Sequence, residues 1–147
     1  MSKILALLAA VWLACCAWPL AATESHVGLV KGVSGTVSIV QASATRTAEA
    51  GTQLQVADRI VTAPGATASI VFRDGTMLTL GGGADVRVRD YVFEPKANRY
   101  AFSMYMDKGS AIYESGKIGR LAPESVKVET PQATVGVRGT RFLIEAD

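Results

Sequence analysis

Six acidic side chains, Asp74, Asp85, Asp90, Glu94, Asp107 and Glu114, are where carboxylate chemistry would be sought. A hydrolase of that kind needs two carboxyls held roughly 5–9.5 Å apart, a separation that spacing along the chain leaves open. Solvated turn residues are the commoner use of such acids, so this reading ranks last. Nucleophilic catalysis has poorer material. The single histidine, His26, stands close to the N-terminal segment, where order is least expected, so a serine nucleophile has no placed base. Gly81-Gly82-Gly83-Ala84-Asp85 resembles one imperfect copy of a calcium-binding repeat, with Ala84 where a glycine is needed. A plain turn explains it better. The glycine-rich stretches do not run on into Lys-Ser or Lys-Thr, as a phosphate loop requires. No catalytic, cofactor or metal site is therefore expected, and the chain is read as a non-enzyme.

One cluster suits binding. Arg87, Arg89 and Arg99 lie close in sequence, with Tyr91, Phe93, Tyr100 and Phe102 between and beside them. Arginine stacked on an aromatic ring contributes about 0.5–2 kcal/mol per contact. Arg87, Arg89, Tyr91, Arg99 and Tyr100 are thus the candidate partner surface. The interleaved Asp85, Asp90 and Glu94 nearly cancel the local charge, so a solvated strand face is the plain alternative.

The chain that must carry this cluster has 147 residues, a length that suits one domain. With 15 Lys+Arg against 13 Asp+Glu, the net charge of +2 is far from that of a dedicated nucleic-acid binder. One His and 2 Cys exclude a zinc cluster or a disulfide framework. Met1 to Ala22 reads as a secretory signal peptide: Lys3 starts it, Ile4 to Ala17 is apolar, Pro19 breaks the run, and Leu20-Ala21-Ala22 offers small residues for cleavage. The apolar run is short of the roughly 20 residues a membrane helix needs. A retained anchor, or a lipid tether at Cys15 or Cys16, are the alternatives. Residues 23–147 are then a single exported domain, without thiols and without a membrane span.

That domain alternates at period two. Val37 and Ile39 share a face, as do Ala68, Ile70 and Phe72; Val86 and Val88 alternate with Arg87 and Arg89. Tyr100, Phe102, Met104 and Met106 form a further series, followed by Val126 with Val128 and Phe142 with Ile144. Asp74-Gly75 between two such runs predicts a tight hairpin with positive φ at both turn residues. Ala42 to Gln53 and Glu94 to Asn98 read as loops, Gly81-Gly82-Gly83 as a tight bend or close backbone approach, and no segment shows a helical stripe. The expected fold is all-β, many short antiparallel strands in a rolled sandwich or solenoid-like arrangement.

An ordered set of motifs runs from Val27 to Ile144. It includes Val33-Ser34-Gly35-Thr36-Val37, Ala50-Gly51-Thr52, Asp58-Arg59-Ile60-Val61-Thr62, Ile70-Val71-Phe72-Arg73-Asp74-Gly75-Thr76 and Lys108-Gly109-Ser110. The most specific block is Thr130-Pro131, followed by Val137-Arg138-Gly139-Thr140-Arg141-Phe142. In these motifs the chain resembles the FecR domain family of bacterial envelope proteins. The family residues, Gly51, Asp58, Thr62, Asp74, Gly75, Thr130, Pro131, Val137, Arg138, Gly139, Thr140 and Phe142, are expected to be structural. Gly51 and Gly75 suit turns, Asp58 suits bonding to backbone donors, and Pro131 suits a strand start. Arg138 has five donors with which to staple loop carbonyls or pair with a carboxylate.

The resemblance implies signalling: family members include regulators that join a cytoplasmic anti-sigma region, a membrane helix and a periplasmic domain that hears an outer-membrane receptor. Neither a region that would face a sigma factor nor a further C-terminal domain is expected from these residues, so the anti-sigma role is not carried over. What remains is the expectation of a periplasmic or secreted module that binds an envelope protein or senses a signal, with binding of cell-wall glycan or another surface polymer as the alternative.

Overall fold

The computed structural model describes residues 26–42 and 44–147; the signal-peptide reading of residues 1–22, with Cys15 and Cys16, lies outside them. The described residues are 59% strand and 9% helix, and the all-β expectation holds. The strands are β1 (Gly28–Ser34), β2 (Val37–Gln41), β3 (Ala44–Thr47), β4 (Gln53–Leu54), β5 (Arg59–Thr62), β6 (Thr67–Phe72), β7 (Met77–Leu80), β8 (Asp85–Glu94), β9 (Arg99–Glu114), β10 (Val126–Glu129), β11 (Thr134–Gly136) and β12 (Arg141–Ala146). One short helix, α1 (Lys117–Leu121), follows β9.

The strands form one open, curled sheet, a half-barrel, in the order β3-β2-β5-β8-β9-β7-β6-β1-β4. The long β9 belongs to both halves. Its first part lies between β8 and β10; its last part lies between β7 and β12. The handover falls at Gly109, whose φ is +99° and where a Cβ would sit 2.4 Å from the Cα of Ala84. Only glycine allows both that dihedral and that approach. All pairings are antiparallel except β10 with β9, which is parallel and departs from the expected pattern. A parallel neighbour needs a crossover; here α1 and a turn of 3-10 helix over Pro123–Ser125 supply it.

Alternation fills the core as the pattern requires. Ala68, Ile70 and Phe72 of β6 are buried in one cluster with Val88, Phe102 and Met104 of the other half. Phe72 stacks on Tyr91 at 5.6 Å between ring centres and meets Phe102 edge-on at 5.0 Å. These contacts hold the two halves of the curl against each other.

Four local expectations are corrected. First, Ala42 to Gln53 contains the edge strand β3, paired to β2; its side chains are all exposed, so no buried face marked it. Second, the chain does contain a helix, α1, too short to show periodicity. Third, Asp74 has no positive φ; only Gly75 does, at +88°. The Gly75 N–H donates to the Phe72 carbonyl and the Phe72 N–H to the Thr76 carbonyl, a three-residue turn closed by a left-handed glycine. Fourth, Pro131 lies in the bend between β10 and β11 instead of opening a strand.

Candidate partner-binding face

The family residues come first, because they fix the scaffold. Asp74 is buried, 2% exposed, not the solvated turn acid expected. Its Oδ1 accepts from the Tyr91 hydroxyl (2.8 Å) and the Thr76 N–H (3.3 Å); its Oδ2 accepts from the Thr76 hydroxyl (2.6 Å) and the Ile118 N–H (3.0 Å). The Tyr91 hydroxyl in turn accepts from the Asp74 N–H (2.9 Å). One carboxylate thus ties the β6–β7 turn to β8 and to the start of α1, and every bond it makes satisfies a buried donor. Burial, and then the bond to Asp74, push the Tyr91 phenol far above its usual range.

Other motif residues work alike. The Thr62 hydroxyl donates to the Gly81 carbonyl (2.6 Å) and accepts from the Ala84 N–H (2.8 Å), closing the glycine bend. Asp58 accepts from the Gln55 N–H (2.9 Å) and the Gln41 side chain (3.3 Å). Thr130 accepts at its hydroxyl from the Ala133 N–H (3.1 Å), which holds the Pro131 bend. Gly51 and Gly139 both have positive φ. The Ser115 hydroxyl donates to the Gly139 carbonyl and the Ser115 N–H to the Thr140 carbonyl. Val137 is buried, and Phe142 stacks on Tyr113 at 4.9 Å. Arg138 departs from expectation. It is exposed and takes no part in the ion pairs or side-chain hydrogen bonds of the described residues; Ser115 does the stapling instead.

The arginine cluster is divided by a bulge. Register along β8 shifts between Val88 and Asp90, which adds one residue and reverses the side-chain phase. Arg87 and Arg89 point outward as expected, but Tyr91 points inward and is 7% exposed. Tyr91 is therefore a core residue and leaves the candidate surface. Arg99 and Tyr100 lie beyond the bulge, at the far end of the hairpin. Arg99 reaches Glu94 at 3.4 Å and Tyr100 packs obliquely on Phe93 at 6.2 Å. The sequence cluster is thus two separate places.

What the sheet assembles around Arg87 was not visible in sequence. Direct register partners run Arg59 on β5, Arg87 on β8, Tyr105 on β9 and Glu129 on β10. Directly paired residues share a face, so these four form one row across the outside of the sheet. Arg59 is forked onto Asp85, with Nε 2.7 Å from Oδ1; the Asp85 bond raises its already high pKa further. Asp85 is buried, so it too departs from the solvated turn acid expected, and its carboxylate is committed to Arg59. Arg89 pairs with Glu129 and lies over the Tyr105 ring at 4.4 Å. Arg87 is exposed between them and makes no ion pair among the described residues. The row borders a hollow of about 270 Å³ with Asp107 on its rim. Arg59, Tyr105 and Glu129 were missed because they come from strands far apart in sequence.

A family model described as FecR protein matches residues 58–147, more than half of the chain. The chain belongs to the FecR family. That family is signalling-related. Of the twelve family residues, all but Gly51 fall inside the matched stretch, and so does the whole Arg59–Glu129 row; the motifs before Asp58 lie outside it. No match is found among curated proteins or among solved structures.

Proposed function

We propose that this FecR domain is a non-enzymatic signal-sensing module of the bacterial envelope, exported through its N-terminal segment, that docks a partner protein on the arginine row. The observation that carries the reading is Arg87, an uncommitted guanidinium set between two arginines already held by carboxylates. Arginines fixed in advance lose less side-chain entropy on binding, and Arg and Tyr are the residues that most often anchor protein interfaces. Acids interleave with the row at Asp85, Asp107 and Glu129. Such mixed charge fits a protein surface that presents a carboxylate to Arg87 better than a uniform polyanion. The non-enzymatic reading is supported by the use of Asp74 and Asp85 in structural bonds.

A photo-crosslinking residue at position 87 is expected to yield an adduct with an envelope protein, reduced when Arg89 is replaced by Ala. No adduct, with an unchanged envelope response after deletion of the gene, overturns the reading. A second reading, binding of cell-wall glycan, draws on the hollow of about 420 Å³ beside Arg99, Tyr100 and Glu124. The Tyr105 ring is covered by Arg89, so Tyr100 is the better stacking platform. Co-sedimentation with peptidoglycan that is lost in Tyr100→Ala, alongside a silent position 87, replaces the first reading with the second.

A further inference from the structure

The half-barrel ends on one side at β12, whose inner edge pairs with β9. No strand among the described residues pairs with its outer edge. Leu143, in the middle of β12, is 60% exposed, the most exposed large hydrophobic on any strand described. A hollow of about 440 Å³ lies along this edge, between β12 and the Val135–Arg138 segment. An exposed strand edge with an apolar centre is normally blunted by charge or by a covering element.

The residues of β12 say what fits there. Arg141-Phe142-Leu143-Ile144-Glu145 reads as its own complement about Leu143. Laid antiparallel against a second copy of itself and centred on Leu143, β12 places Leu143 opposite Leu143, Arg141 opposite Glu145, and Phe142 opposite Ile144. The burial pattern agrees, because Arg141, Leu143 and Glu145 share the exposed face while Ile144 is buried and Phe142 half-buried on the other. The main chain agrees as well. The Thr140 carbonyl accepts from the Ser115 N–H of the adjoining β9 end. By antiparallel alternation, Arg141, Leu143 and Glu145 therefore turn their N–H and carbonyl groups outward. In the monomer Arg141 lies 3.4 Å from Glu114. In the pair it would stand between Glu114 of its own chain and Glu145 of the second copy, an alternation of charge across the sheet.

We infer that the protein forms a two-fold dimer in which the β12 edges of two copies join antiparallel through Leu143, making one sheet continuous across the pair. The contact is isologous, as a closed two-fold dimer requires, and it is independent of what the arginine row binds.

Cysteine cross-linking tests the register directly. In the full chain with Cys15→Ser and Cys16→Ser, Leu143→Cys brings two sulfurs together across a hydrogen-bonded strand pair, where Cα atoms lie about 5.5 Å apart, within disulfide reach. A disulfide dimer is expected from Leu143→Cys alone. Arg141→Cys alone is expected to give none, and a mixture of Arg141→Cys with Glu145→Cys to give the mixed dimer. Without cross-linking, light scattering is expected to report a dimer for the unaltered chain and a monomer for Leu143→Lys, with the same melting temperature at low concentration. Arg141→Glu weakens the dimer, and the added Glu145→Arg restores it. A chain that stays monomeric at high concentration overturns the inference, whether or not a foreign peptide adds to the same edge. So does a dimer untouched by Leu143→Lys.

Discussion

Tyr91 shows how much one side chain can carry here. Its ring packs against Phe72 and Phe102, and its hydroxyl is half of the exchange with Asp74. The folded phenol has a pKa raised above the ordinary value of about 10. A group with a raised folded pKa contributes stability that is fully present below its unfolded pKa and is lost as pH climbs toward the folded value. The domain should thus weaken above about pH 10 as the unfolded chain, but not the folded one, releases this proton. Tyr113 acts in the same direction. Burial raises its pKa, and its hydroxyl has no hydrogen bond, although Ser115 and Thr76 lie close enough to offset part of the shift. Tyr91→Phe should lower stability at neutral pH by about 1–3 kcal/mol, the cost of leaving buried partners unpaired. It should also flatten the alkaline decline, leaving the part due to Tyr113. Urea midpoints measured from about pH 8 to about pH 11 check both; an unchanged slope would remove Tyr91 from this role.

At the scale of elements, the C-terminal strand is held by its entry turn as much as by its ladder. Gly139 has φ +125° just before β12, and nothing lies within 4 Å of where its Cβ would be. The demand for glycine there is purely one of backbone conformation. Gly139→Val should therefore cost more than about 1 kcal/mol, since a β-branched residue is excluded from that region. Thermal unfolding of the variant measures it, and an unchanged melting temperature would show that the turn relaxes freely. A different constraint acts at Gly116, before α1. A Cβ there would sit 2.2 Å from the Thr76 backbone nitrogen, because the Asp74 network draws α1 down onto the turn.

For the whole molecule, the curl depends on contacts between its two halves, and Phe72 is central to them. Phe72→Ala removes a buried ring that packs against both Tyr91 and Phe102 and should cost about 3–5 kcal/mol. Chemical denaturation reads this loss; a change below about 1 kcal/mol would place the joint elsewhere. The curl also suits the proposed docking role. The arginine row spans β5, β8, β9 and β10, so its spacing is set by the sheet and not by a loop.

Much of this was legible in the order of residues. Period-two alternation named Ala68, Ile70, Phe72, Val86, Val88, Phe102, Met104, Val126 and Val128 as inward, because each strand buries one face and solvates the other. The FecR motifs marked the turns, since their glycines and short polar side chains satisfy local backbone needs. Folding in three dimensions decided the rest. A single bulge at Arg89 sent Tyr91 inward, since a one-residue slip reverses every side chain beyond it. The burial of Asp74 depended on donors from Tyr91 and Ile118, 17 and 44 positions away. The row Arg59–Arg87–Tyr105–Glu129 and the open edge of β12 arise from strand pairing between distant segments. A local pattern records which way a side chain points along its own strand; which strands become neighbours follows from how the halves of the sheet close on a shared core.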